Sequence, residues 1–172
     1  MRKPRELQEG ARYHVTARAN RKEMLLDSKR SKLLFLNVVK RAKAKYAFRI
    51  ENFTIMGSHF HFVIVPGRGQ SLSSIMQWIL SVFAMAYNRI HAYTGHVWGE
   101  RFFSRIIQGL HDLIAVFEYI DGNPVIAKQV ADRRVWRYGG LWHCRSGCHD
   151  VVDKDPLWIK LIFPERDILS IA

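Results

Sequence analysis

His59 and His61 stand one residue apart in the run Met56-Gly57-Ser58-His59-Phe60-His61-Phe62-Val63-Ile64-Val65. Side chains alternate faces along a strand, so both imidazoles project from one side while Phe60, Phe62 and Ile64 project from the other. Each imidazole needs a hydrogen-bond partner or a cation, and one divalent metal serves both. A His-x-His pair by itself is more often solvated or hydrogen-bonded than metal-bound. Tyr119 and Asn123 add to it, because residues four apart on a helix share a face. An amide oxygen suits a hard cation such as Mg²⁺ or Mn²⁺ as a third ligand beside two imidazoles. A phenol with a pKa of about 10 is a poor nucleophile until it is oriented or deprotonated, and a divalent ion helps by polarising the phosphate under attack. These residue types therefore suggest phosphodiester cleavage through a covalent phosphotyrosine.

The elements that must position these residues are legible in outline. Tyr13 to Arg18 alternates and is rich in strand formers, with Tyr13, Val15 and Ala17 on one face. Asp27 or Ser28 caps a helix running through Leu33, Leu34, Val38 and Ala42 to about Lys45, its lysines and arginines, Lys32 among them, spread around the outside. Phe48 to Met56 reads as a second strand whose apolar parity shifts across Glu51-Asn52, the mark of a bulge or twist. Gly57-Ser58 turns the chain straight into the histidine strand, predicting an antiparallel hairpin. Leu72, Ile75, Met76, Ile79, Phe83, Ala86 and Tyr87 recur at helical spacing, and Met76, Trp78 and Met85 are expected in the core. Arg105 to Gln108 is a short candidate strand. Asp112 then caps a helix over Leu113–Ile120 that stops at Gly122-Asn123-Pro124, with Pro124 opening the next helix.

Twenty-seven Lys+Arg against 15 Asp+Glu give a net charge of +12 and a pI near 10.1, the electrostatic footprint of a nucleic-acid binder. Between Thr94 and Arg105 aromatic and basic residues interleave; aromatic faces stack on unpaired bases while guanidinium groups neutralise phosphates. Arg12, Arg18, Arg21, Lys22, Trp98, Arg101 and Arg105 are the candidate DNA contacts, with packed tryptophan and an Arg-Glu pair as the competing account of the aromatic segment. The sequence holds no run of about twenty apolar residues and no apolar stretch after Met1-Arg2-Lys3-Pro4-Arg5-Glu6, so no membrane partner is expected and a cytoplasmic location is. Two cysteines, Cys144 and Cys148, are too few for a disulfide framework.

His59-Phe60-His61, the segment Gly95-His96-Val97-Trp98 with Arg101-Phe102, and Tyr119-Ile120-Asp121-Gly122-Asn123-Pro124-Val125-Ile126-Ala127 together resemble the single-tyrosine HUH transposases of bacterial insertion sequences. The resemblance is closest to the REP-associated branch, which carries Asn rather than Gln four residues after the tyrosine. It spans about Tyr13 to Tyr138, with the motifs in the family's order and spacing. It implies an α+β fold, a ferredoxin-like antiparallel sheet with packed helices and the catalytic tyrosine on a helix. It also implies His59, His61 and Asn123 as ligands of Mg²⁺ or Mn²⁺, and Tyr119 as the nucleophile that forms a 5′-phosphotyrosine and frees a 3′-hydroxyl. The implied substrate is single-stranded DNA beside hairpins, cut and rejoined without an energy cofactor. A rolling-circle initiator or relaxase-type HUH nickase and a non-catalytic hairpin-binding module are the alternatives. Insertion-sequence relatives form dimers with the tyrosine helix given in trans while REP-associated relatives act as monomers, which leaves a homodimer open.

One departure is local: Gly57-Ser58 replaces the Pro-Asn often found before the first histidine of the pair. The other is the tail. Residues 1–140 read as one HUH domain and 141–172 as a C-terminal extension packed on it or partly mobile. Within that extension His143, Cys144, Cys148 and His149 offer two thiols and two imidazoles, yet four zinc ligands from one short loop strain a tetrahedral site, so unligated cysteines are the expectation.

Overall fold

A computed structural model describes residues 8–167, so the outer ends of both expected spans, 1–7 and 168–172, lie outside the described residues. The order is β1 (Tyr13–Arg18), α1 (Lys29–Lys45), β2 (Phe48–Ile55), β3 (His59–Pro66), α2 (Leu72–His91), β4 (Phe103–Ile106), α3 (Gly109–Ile126), α4 (Gly140–Arg145) and α5 (Leu157–Ile162). The strands form one sheet in the order β2-β3-β1-β4, every neighbour antiparallel. This is the ferredoxin-like arrangement expected of a βαββαβ chain, in which each crossover helix packs back onto the sheet.

The two faces of the sheet carry different jobs. Tyr13, Val15, Ala17, Phe60, Phe62 and Ile64 point toward α1 and α2 and are buried with Phe35, Val39, Ile79 and Phe83. Burying each such side chain contributes about 2 kcal/mol against the entropy of ordering the chain. On the opposite face Val63 packs with Leu113, Val116, Phe117 and Ile120 of α3 and with Ile159 and Phe163 of the tail. His14, His59 and His61 share that second face, so α3 lies over the imidazoles.

Ser28 caps α1 by accepting from the Ser31 backbone N–H. The buried stripe of α1 is Phe35, Leu36, Val38, Val39 and Ala42, while Leu33, expected inside, is exposed. Lys32, expected outside, is buried: its ammonium donates to the Asp27 carbonyl and lies over the rings of Trp136 and Tyr138. Met85, expected in the core, is exposed on α2. The expected bulge is present, with the β2–β3 register shifting between Ile50 and Asn52. It turns both Glu51 and Asn52 into buried polar residues. β4 lies two residues earlier than the candidate strand at Arg105.

The helix bearing Tyr119 is longer at both ends than its punctuation suggests. It starts at Gly109, and Asp112 in its first turn accepts from the Gln108 N–H. It runs through Asn123 and Pro124 to Ile126. A proline in a final turn forfeits one intrahelical donor rather than a ladder of them, and the helix continues past Pro124 for two more residues. The tail borders β2: Ile55 N–H donates to the Tyr138 carbonyl, and Ile50 and Asp153 exchange hydrogen bonds. Gly140 makes this approach possible, since a Cβ there would stand 2.3 Å from Asn52 Oδ1 and 3.0 Å from the Phe53 nitrogen.

Candidate functional site

Strand pairing brings the first residues of the site together. Register places Thr16 opposite His61 and Arg18 opposite His59, with His14 opposite Val63 on β3 and Arg105 on β4. His14 and His61 are buried, and His14 Nε2 lies 3.0 Å from His61 Nδ1. Their rings stack at 5.2 Å, and the His59 ring meets His61 edge-on at 5.1 Å. From above, α3 brings the Tyr119 ring to 5.3 Å from His61 and 6.1 Å from His14. One turn on, Asn123 comes close enough to the His59 ring to favour its protonated form. Tyr119 remains about half exposed, open to a substrate arriving from solvent.

The electrostatics keep the imidazoles neutral. Burial first, then the fields of His14, His59 and Arg18, hold His61 down to about 3. Burial and the Arg105 charge hold His14 at about 4, against a small opposing pull from Asp112. His59 is lowered by burial and Arg18, with Asn123 working the other way. Neutral rings offer lone pairs, which is what a metal ligand must do. The donor set passes a further test. His61 Nε2 is buried without a hydrogen-bond partner, an arrangement that costs free energy unless something else occupies the atom. The tautomer in which His61 Nδ1–H donates to His14 leaves that Nε2 a bare lone pair. Two imidazoles and an amide oxygen then fit a divalent cation.

His14 is the residue that the sequence reading missed. The signal was available: alternation that buries Tyr13, Val15 and Ala17 on one face puts His14 on the other, and the ferredoxin-like strand order sets β1 beside the histidine strand. Of the candidate DNA contacts, Arg18 lies at the rim beside His59, and Arg21 and Lys22 are exposed in the turn after β1, both with positive φ. Arg101 is exposed on the β4 approach. Arg105 is committed to a two-pronged pair with Asp112 at 2.8 Å, and Arg12 to Glu51 beneath Trp158. Trp98 sits on the far face of the sheet, its ring among Phe35, Phe60 and Phe83 and its Nε1 donating to the Leu80 carbonyl.

Comparison with known proteins follows the same lines. Residues 8–123 match the family described as transposase, IS200-like. A solved structure of a REP-associated tyrosine transposase bound to a REP hairpin superposes with a TM-score of 0.74 at 20% identity, covering 91% of this chain and 93% of that one. A candidate transposase of Deinococcus radiodurans R1, solved by crystallography, gives 0.50 at 12% identity, over 71% of this chain and 97% of its own. At these identities the likeness is one of fold. No curated protein matches the chain in sequence. Among the described residues no helix is long and apolar enough to cross a membrane.

Proposed function

The chain belongs to the IS200-like transposase family, a family of DNA-processing enzymes, and from that premise we propose that it cuts and rejoins single-stranded DNA beside hairpins through Tyr119. The observation that carries this reading is the convergence of Tyr119, His59, His61 and Asn123 at one open patch of a single chain. His59, His61 and Asn123 would hold Mg²⁺ or Mn²⁺, which when bound supplies Lewis-acid polarisation of the scissile phosphate. Tyr119 Oη attacks the phosphorus, the bond from phosphorus to O3′ breaks, and the phenolic proton ends on the freed 3′-hydroxyl by way of solvent. The 5′-phosphotyrosine conserves the bond energy, so attack by a 3′-hydroxyl reverses the step and reseals a strand. α3 fixes the tyrosine over the histidines, and His14 orients His61. Arg18, Arg21 and Lys22 supply positive charge at the rim for the DNA backbone.

The tyrosine serves the site of its own chain in this reading, so a monomer suffices for cleavage. The described part of 141–172 extends the first domain instead of forming a second unit, a reading supported by the packing of α4 on β2 and by the hydrogen bonds between Asp153 and Ile50. The hairpin bound by the REP-associated neighbour motivates the choice of substrate. End-labelled hairpin oligonucleotides incubated with Mg²⁺, Mn²⁺ or EDTA test it on denaturing gels. A covalent protein–DNA adduct that requires metal and is lost in Tyr119→Phe, while hairpin binding persists, is the expected result. Cleavage by Tyr119→Phe would remove the nucleophile assignment, and binding without cleavage by the wild type would favour the non-catalytic module.

A further inference from the structure

A second group of metal-binding side chains lies away from the histidine strand, at the end of α4. Ligand atoms of His143, Cys148 and Asp150 all lie within 4.8 Å of one another. His143 is 4% exposed and its Nδ1 is buried without a hydrogen-bond partner. Its ring is fixed edge-on against Phe53 of β2 at 5.0 Å, so the imidazole belongs to the rigid core. Cys148 reaches it through the way α4 ends. Gly147 adopts φ +68°, its N–H donates to the Cys144 carbonyl, and the Cys148 N–H donates to the His143 carbonyl. This paired 5→2 and 6→1 hydrogen bonding is a Schellman cap, which glycine favours because a left-handed φ strains other residues. The cap folds the chain back so that the thiol returns to the imidazole five residues earlier.

The expectation of four ligands from one loop is thereby replaced by a different set. Cys144 turns inward, where its sulfur accepts from Arg166 Nη2 at 3.2 Å and burial pushes its thiol up to about 12. His149 is not within reach of the group, and Asp150 takes its place. Cys148 Sγ donates to Asp150 Oδ1 at 3.1 Å, and Lys40 of α1 pairs with the other carboxylate oxygen.

We propose that His143, Cys148 and Asp150 form a zinc site that closes the loop at the end of α4, independent of the reaction at Tyr119. One imidazole, one thiolate and one carboxylate are the mixed donors that Zn²⁺ accepts, with solvent in the fourth position. On binding, the Cys148 S–H bond breaks, the sulfur–zinc bond forms and the proton leaves to solvent. The thiolate, the carboxylate and the Lys40 ammonium sum to −1, so the dication leaves the group at +1, a charge that a half-exposed site can hydrate. The metal replaces the weak thiol donor at Asp150 and takes up an imidazole whose Nδ1 has no hydrogen-bond partner.

The test is a Co²⁺ titration of full-length protein freed of metal with EDTA, on a His59→Ala background that weakens binding at the other site. A near-ultraviolet thiolate-to-cobalt band saturating at one equivalent, abolished by excess Zn²⁺ and absent in Cys148→Ser, is expected. Zn²⁺ affinity should fall by more than about tenfold in Cys148→Ser and in Asp150→Asn, measured against a chromophoric chelator. Slower alkylation of Cys148 in the wild-type chain when Zn²⁺ is present, read by mass spectrometry, supplies a check that needs no variant. Absence of the band, a band that survives Cys148→Ser, or alkylation indifferent to Zn²⁺ would overturn the site.

Discussion

Among single residues, His14 bears most on the proposed chemistry without being its nucleophile. His61 has two ring nitrogens with separate tasks: Nδ1 is engaged by His14 and Nε2 is left free in a buried setting. Removing the partner frees the ring to rotate or to change tautomer. His14→Phe should therefore weaken Mn²⁺ binding by about 10- to 100-fold, the usual effect of losing a group that orients a ligand. His14→Gln, which keeps an acceptor, should recover part of it; calorimetric titration with Mn²⁺ checks both, and equal affinities in all three chains would deny His14 this role. The sequence made His59, His61, Tyr119 and Asn123 legible because strand alternation and helical spacing are local rules. His14 needs the strand order as well as the alternation, because its contact with His61 spans 47 positions. Lys32 was misassigned for a related reason: a lysine reads as surface until a carbonyl and two aromatic faces are brought to it.

At the scale of elements, α3 is the part that has to be rigid, and its first turn carries a specific fastening. Asp112 accepts from the Gln108 N–H and from both arms of the Arg105 guanidinium, and those hydrogen bonds draw its carboxyl down to about 2. A carboxylate whose folded pKa is depressed stabilises the fold above its unfolded value near 4, and that contribution fades as pH falls toward 2. Asp112→Asn should thus cost about 1 kcal/mol at pH 7. The difference from wild type should shrink steadily below pH 4; urea unfolding at pH 7, 4 and 3 measures it, and a pH-independent gap would point to packing instead. The sequence made Asp112 the cap of this helix, whereas the cap position is Gln108 and Asp112 lies inside the first turn. It ended the helix early because Gly122-Asn123-Pro124 looks like punctuation, whereas the helix runs on through Pro124 to Ile126. The bulge at Glu51, by contrast, was visible as a change of apolar parity.

For the molecule as a whole, the tail and the tyrosine helix meet at Arg166. This side chain is almost wholly buried, with Nε donating to Asp155 Oδ2 at 2.8 Å and Nη2 to the Glu51 carbonyl at 2.9 Å. Its guanidinium faces the Phe117 ring at 5.0 Å and stands 3.6 Å from Asp121, which Asn52 also holds. One cation thus joins the bulge, the tail and α3, two residues from Tyr119. Arg166→Met keeps the volume and strands two buried carboxylates, so it should destabilise the fold by about 3–5 kcal/mol in urea unfolding. A loss under about 1 kcal/mol would mean that Asp121, already raised by burial to about 6, simply takes up a proton. The segment that runs beside β2 has a further effect, on how molecules meet one another. Ile50 and Ile55 spend their amides on the tail. A chain cut before Tyr138 would bare the outer edge of β2, the strand that carries Phe48 and Phe53, a template on which identical molecules could stack edge to edge. In the intact chain the segment from Tyr138 onward withholds that template and so works against self-association, as the surplus of lysine and arginine does by charge repulsion.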